Sequence, residues 1–522
     1  IKLLHNAKFD YKFIKVQVGA SLRNIYDTML AGAVLTAGLT GKNPSLKELT
    51  MKYCGFDMDK GVRKSFQNHI GKVTEAQLKY SALDTLAMFP IFKAQLKNLK
   101  QENLVKVAKL EFASTRVVAE MELRGIRIDV PRWKEVIEHK KKRDTYAKEF
   151  QEAIRPYYNR RSHDLFGNSV DAMNVNSQVQ LMDLFNNRLN LDIPSTGDGI
   201  LQTVDHPIVK ILQNYRKYEK LISAFGDSLL EQVNPVTDRL HPDFNQMGTA
   251  TGRFSCRNPN LQQIPRNSEE APFRELFNPA PGYKLVTADY SSFEMRILAD
   301  LSGDEKMIKA LKEGLDIHSY TASLMFNVEY APKEKFKKKN PGLRQIAKPI
   351  GFGLMYGMSS MGLAAQLGVS KEKGEEYMEL YFKSYPSVRE FLAGLSDNAV
   401  KKGWSKTPMG RKRWYKKPSP NDPDYRRRMS SIRRQAKNHP IQGTNADAIK
   451  FAFVFLQKYF DNGEFDGGLT HTVHDEIVCE VREDQAEEWA KIQSKEMVRA
   501  AELFITKVPV KSEPFIGDIW EH

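Results

Sequence analysis

Two stretches of alternating apolar residues, 283–290 (YKLVTADY) and 469–481 (LTHTVHDEIVCEV), each carry an aspartate, and a long, mostly helical tract separates them. The first run stops at Asp289. The second divides into two runs that flank His474 and Asp475 as the arms of a hairpin would, so both acids are expected at strand ends.

With 522 residues the chain exceeds one ordinary domain, and 41% apolar with 27% charged residues describes a globular protein of several substructures. Its 79 Lys and Arg against 64 Asp and Glu leave +15, which favours polyanionic partners and nucleic acid first; a basic surface that merely maintains solubility is the other reading. Cys54, Cys256 and Cys479 stand far apart without a CxxC pair, so neither a disulfide framework nor a zinc site is supported and a reducing compartment fits. No run approaches the roughly 18 apolar residues of a membrane span, so no membrane partner is expected. The chain opens on Ile1 rather than Met, which keeps any targeting segment out of view.

Residues 1–105 mix short apolar runs with helical patterns, ending in an amphipathic stretch over 75–99, and read as a piece of an α/β domain. From about 104 to 230 the pattern is helical and charged; the basic clusters Lys140–Arg143 and Arg160 Arg161 read as solvated helix faces. Residues 239–265 read as polar loops over a sheet, with turns at Gly252 and Asn258 Pro259. Residues 304–460 are largely helical, with a loop over 416–428.

Arg344, Lys348, Phe352 and Tyr356 are spaced by four, so on a helix they share one face about 18 Å long. Cations lie toward the N-terminal end, where the helix dipole also favours phosphate, and aromatics follow where a base could stack. An amphipathic helix with core aromatics and wet cations would give the same spacing. Gly351, Gly353 and Gly357 each cost a helix about 1 kcal/mol relative to Ala, so their clustering predicts something bulky close to the backbone, while Pro349 should kink the helix. Two divalent ions stabilise both the attacking and the leaving oxygen in phosphoryl transfer, and Mg²⁺ prefers oxygen ligands, so Asp289 and Asp475, with Glu476 beside them, suit such chemistry. Either acid alone is equally a turn former.

Residues 289–296 (DYSSFEMR), 344–357 (RQIAKPIGFGLMYG) and His474 Asp475 Glu476 resemble, in order and spacing, motifs A, B and C of family A DNA polymerases. The resemblance extends through 249–265 (TATGRFSCRNPNLQQIP), Asp316 Ile317 His318, 403–413, 438–444 (NHPIQGT) and 517–520, and so covers essentially everything after residue 110. It implies an α+β, right-hand polymerase fold, with a palm of antiparallel sheet (about 241–303 and 440–522), helical thumb (about 110–240) and fingers (about 304–439), together making a polymerase domain over 106–522. The activity implied is addition of dNTPs to a primer 3′-OH on primer-template DNA, in replication or repair, with two Mg²⁺ for which Mn²⁺ can substitute.

By the same resemblance Asp289, Asp475 and the Tyr290 carbonyl bind metal and Glu476 belongs to the catalytic group. Arg344 and His318 hold outer phosphates, Lys348 neutralises the reacting region, Phe352 stacks on the incoming base or sugar, and Tyr356 holds the template-base position until the fingers close. Glu294 crowds the sugar 2′ position beside Ser292. Arg253, Asn260, Gln263, Arg434, Asn438, Gln442 and His474 contact the primer-template. The sequence departs from the common pattern at Ser292, Phe293, Pro349 and Gly351, which bears on stringency near the sugar and primer, and Phe352 in place of Tyr implies discrimination against dideoxynucleotides.

Residues 1–105 resemble part of the family's RNase H-like α/β 3′-5′ exonuclease domain: 5–10 (HNAKFD) matches its second motif and 80–84 (YSALD) its third, marking Asn6, Asp10, Tyr80 and Asp84. The first motif is expected before Ile1, so weak or no proofreading is expected of this chain. A monomer of low processivity is expected, since no inserted loop for a processivity factor is evident, in a cytoplasm (bacterial nucleoid or phage-infected cell) or an organelle. A single-subunit RNA polymerase relative would share the two acids and the two cations, but Glu294 and the exonuclease-like segment argue against it. A noncatalytic primer-template-binding protein would have little use for Asp289, Asp475, Arg344 and Lys348, and an exonuclease as main activity is disfavoured by the acids it lacks.

Overall fold

The central sheet has four antiparallel strands in the order Gly467–Val473, Glu476–Arg482, Tyr283–Tyr290, Ser512–Gly517. The computed structural model describes residues 1–58, 61–67, 69–136, 139–157, 173–265 and 272–521. Pairing of Ile477 with Ala288 and of Glu513 with Asp289 sets the register. Strand Glu476–Arg482 is buried from Glu476 through Val481, as a β-branched run between two neighbours requires. Helix Ala486–Glu502 packs on this sheet and on the 37-residue helix Tyr425–Asp461. Small buried residues on the long helix, among them Ala436, Gly443, Ala448 and Ala452, let its neighbours approach closely.

One apolar core joins the sheet to the helices of the 304–440 region, running from Val117 through Leu298, Ile350 and Tyr381 to Trp520. A second core, built from Phe150, Leu181, Leu184, Phe185 and Leu212, lies inside the region expected as the thumb, where helix His139–Ile154 packs on Pro207–Phe225. Helix Val105–Arg124, most of which falls within the 110–240 stretch expected as the thumb, packs on strand Gly467–Val473, on the long helix and on helix Ala7–Val18. Its buried face, which includes Leu110, Val117 and Met121, needs an apolar partner and finds it in the palm.

At the N-terminus, strands Lys2–Leu4 and Ile25–Asp27 pair in parallel. Helix Glu75–Gln101 opens on a capping box at Thr74 and Gln77; Ile91 and Leu99 face inward, while Leu78, Leu86 and Phe89 are exposed, so its apolar residues occupy more than the single face expected. The 416–428 loop is shorter than read, because the long helix begins at Tyr425. Arg143 pairs with Asp144 and Glu219; Arg160 and Arg161 lie outside the described residues. No described helix is long and apolar enough to cross a membrane.

Candidate active site

Asp289 and Tyr290 end their strand, and alternation turns them to opposite faces: Asp289 half-buried, Tyr290 buried. The Tyr290 hydroxyl donates to the Met497 carbonyl at 2.6 Å and its ring stacks on Phe293 at 4.1 Å. The side chain thus anchors the strand end, and only the main chain of Tyr290 is left for a metal. Asp475 sits with His474 in the two-residue turn between the paired Val473 and Glu476. His474 has a φ of 56°, the left-handed value that so tight a hairpin requires. The register brings Asp475 alongside Asp289: burial, and then the Asp289 charge, push the Asp475 carboxyl up to about 7.

Two carboxylates that oppose each other's ionisation present the condition a divalent cation relieves. Among the described residues no group of three or more His, Cys, Asp or Glu is arranged to hold a metal. The donor set is two carboxylates and a main-chain oxygen, which suits an ion such as Mg²⁺ that takes much of its shell from water and phosphates. Glu476, expected beside the acids, opens the strand that follows Asp475. It is buried and accepts from Trp520 Nε1 at 2.6 Å and Arg274 Nη1 at 3.4 Å.

Glu294, in the first turn of helix Phe293–Ser302, is 8% exposed and divides its oxygens between two partners. Arg253 Nη2 forms an ion pair with one, and the Tyr356 hydroxyl donates to the other at 2.5 Å. Burial and Glu294 push the Tyr356 phenol up to about 12, while a hydrogen bond with Gln442 acts the other way. The Asp475 carboxyl also feels Glu294 and Arg253, so this trio and the acids share one site. Ser292 precedes the helix with a φ of 51° and its side chain makes no capping bond.

Helix Leu343–Met355 carries Arg344, Lys348 and Phe352, and Tyr356 follows at its C-cap. Arg344 grips Asp316 as a fork, Nε and Nη2 donating at 2.8 and 3.0 Å. Asp316 also caps helix Ile317–Phe326 through Ser319, and despite burial these bonds hold its carboxyl well below the usual range. The sequence signals this cap as Asp-x-x-Ser ahead of an apolar helix. His318 is buried; burial, with Arg344 and Lys348 nearby, pushes its imidazole down to about 4, and its ring lies 5.5 Å from Phe352. Lys348 is exposed.

Gly353 and Gly357 are held close to the chain's own atoms, and Gly351 is not. A Cβ on Gly357, whose φ is +72°, would lie 2.9 Å from Arg434 Cα, and one on Gly353 would lie 2.8 Å from Met358 Sδ. At Gly351 the nearest atom, Met295 Cε, is an ordinary 3.5 Å away. Pro349 lies inside a helix that continues to Met355, and nothing in the structure explains its choice.

Arg434, Asn438 and Gln442 are spaced by four along the long helix. Arg253 Nε, Asn260 Oδ1 and Asn438 Oδ1 are buried without hydrogen-bond partners, groups that an external partner could satisfy. Gln263 and His474 are exposed. In the N-terminal region Asn6 begins helix Ala7–Val18 with a φ of 64°. Asp10 is pushed up to about 6 by burial and by Asp27. Tyr80 hydrogen-bonds Asp84, which together with burial raises the phenol. Asp27, unnoticed in the sequence, is buried and accepts from the main-chain N–H groups of Asn6, Ala7, Met29 and Leu30.

The POL domain of Pol1 from M. smegmatis, solved in complex with DNA primer-template and dNTP, superposes with a TM-score of 0.84 at 29% identity, covering 99% of this chain and 86% of that one. The fold is therefore a right-hand polymerase fold with an exonuclease-like N-terminal part. A family model described as DNA polymerase family A matches residues 140–522, and one described as 3′-5′ exonuclease matches residues 1–100. The chain belongs to DNA polymerase family A. DNA polymerase I of Borreliella burgdorferi is 33% identical over 530 residues, 99% of this chain and 55% of that protein. The thermostable DNA polymerase I of Thermus aquaticus is 34% identical over 428 residues, 79% of this chain and 48% of that protein. The chain spans about half the length of the curated relatives it matches.

Proposed function

We propose that this chain adds deoxynucleotides to a primer 3′-OH under the direction of a DNA template, releasing pyrophosphate, in replication or repair. The observation that carries this reading is the convergence of Asp289, Asp475 and the Arg253–Glu294–Tyr356 trio on one site. Asp289 and Asp475, with the Tyr290 main chain, would hold two Mg²⁺, with Mn²⁺ able to substitute. Bound there, the ions would stabilise charge on the attacking 3′ oxygen and on the leaving pyrophosphate.

The chain's own residues divide the remaining work. Arg344 and His318 take the outer phosphates, which requires Arg344 to share or release Asp316. His318 stays neutral near pH 7, because burial holds it near 4, and so donates a hydrogen bond rather than a charge. Lys348 neutralises the reacting region and can give a proton to pyrophosphate. Phe352 packs on the incoming nucleotide, Tyr356 leaves Glu294 when a template base arrives, and Glu294 then limits the sugar 2′ position. Arg253, Asn260, Gln263, Arg434, Asn438, Gln442 and His474 face the primer-template; donors in the minor groove can test pair geometry without reading sequence. Residues 241–303 and 440–522 act as palm, 304–439 as fingers and most of 110–240 as thumb, in a monomer working in a cytoplasm or organelle.

The test of the whole reading is primer extension with Mg²⁺ and dNTPs or rNTPs, using this chain beside Asp475→Ala. Templated dNTP extension that disappears in the variant supports it, and efficient rNTP extension sinks the role of Glu294.

A further inference from the structure

Behind the site, four charged side chains lie wholly inside the molecule: Glu111, Arg411, Asp447 and Lys450, each 0–1% exposed. Two cations face two anions, so the group is balanced. Arg411 Nε donates to Asp447 at 2.8 Å and Nη2 to Glu111 at 2.6 Å, and Thr407 Oγ1 donates to the second Asp447 oxygen at 3.0 Å. Lys450 uses all three ammonium donors: on Glu111 Oε1 at 2.6 Å, the Gln246 carbonyl at 2.9 Å and the Gly252 carbonyl at 2.7 Å.

Two of those three acceptors are main-chain oxygens of the segment that leads into Arg253. That segment turns at 249–252, where the Gly252 N–H donates to the Thr249 carbonyl at 3.0 Å. The turn is seated from both sides. Gly252 has a φ of +88° and a Cβ there would lie 2.7 Å from Arg411 Nη1; a Cβ on Gly443 of the long helix would lie 2.5 Å from Thr407 Cγ2 and 3.3 Å from the Thr251 carbonyl. Arg253 leaves the turn to pair with Glu294, while its own Nε is buried without a partner, so it is the turn that places the guanidinium.

We infer that Lys450, with Glu111, Arg411 and Asp447 behind it, is a positioning residue for sugar selection: it clamps the Gly252 carbonyl and thereby sets where Arg253 holds Glu294. The inference rests on the polymerase reading and on Glu294 as the group that meets the sugar. Stability alone is a poor reason for burying four charges, since apolar side chains of similar volume usually serve a core as well. An ammonium with two main-chain acceptors provides direction, which an apolar replacement lacks.

The test compares single-nucleotide insertion of dNTP and rNTP by the full chain, Lys450→Met, and the double variant Glu111→Gln/Lys450→Met. The double variant keeps the remaining Arg411–Asp447 pair balanced and so guards against a lone buried charge. The expected result is a loss of about tenfold or more in the dNTP-over-rNTP ratio of kcat/KM, with a much smaller loss in dNTP kcat/KM itself. Added to Glu294→Ala, the same substitutions should lower the ratio no further, because both act through one contact. An unchanged ratio in a folded double variant overturns the inference, as does an additive effect on the Glu294→Ala background. A wild-type chain that extends no primer overturns the polymerase reading first, before any variant is compared.

Discussion

Three histidines are buried deeply enough to stay neutral where imidazole usually charges. Burial pushes His318 down to about 4 and His471 to about 3, and holds His439 well below its ordinary range, with neighbouring arginines acting in the same direction on each. In the unfolded chain these rings bind protons near pH 6.5. Between that pH and about 4 the unfolded state therefore holds more protons than the folded one, and stability must fall as pH falls. Asp316 adds a loss at lower pH, because its depressed carboxyl stabilises the fold only while ionised. Proton resonances of the three rings should show no titration down to about pH 5, while denaturant midpoints decline over the same interval; rings that titrate near 6.5 would contradict their burial. At this scale residue type and order marked Asp289, Asp475 and Glu294, whose carboxylates the fold brings to one place. The sequence was silent on Lys450, whose place inside the apolar run ADAIKFAF was the available signal.

The helix Leu343–Met355 and the turn after it carry glycines of opposite meaning. Gly351 is helical, and an added methyl would meet Met295 Cε at 3.5 Å. Alanine there should stabilise by up to about 1 kcal/mol through helix propensity. Gly357 combines a φ of +72° with a backbone neighbour, Arg434 Cα, at 2.9 Å from an added Cβ. Alanine there should cost about 1–3 kcal/mol and shift the contact between this turn and the long helix. Thermal unfolding of Gly351→Ala and Gly357→Ala should move in opposite directions, and a shared direction would defeat this account. The strands and this helix were readable because period and β-branched composition are local properties. The reason for Gly357 was not readable, since the atoms that approach it belong to Arg434, which lies far along the chain.

Motif order sufficed to anticipate a hand, but it could not say how the hand is divided into cores. Helix Val105–Arg124 shares helical pattern and charge with the residues after it, yet packs on the palm strand and the long helix; local pattern does not encode the partner of a buried face. The core around Leu184, Phe185 and Leu212 is separate from the one that runs through sheet and fingers. Elements with their own core open as cooperative units with their own free energy. Leu212 is 0% exposed, and Leu212→Ala should remove about 2–5 kcal/mol from that unit. Hydrogen exchange in helices His139–Ile154 and Pro207–Phe225 should then accelerate, while strand Tyr283–Tyr290 keeps its protection. The same variant should weaken primer-template binding more than single-nucleotide insertion at saturating DNA, because Asp289, Asp475 and Glu294 stand on the other core. Equal acceleration in both regions would mean that the two cores unfold as one.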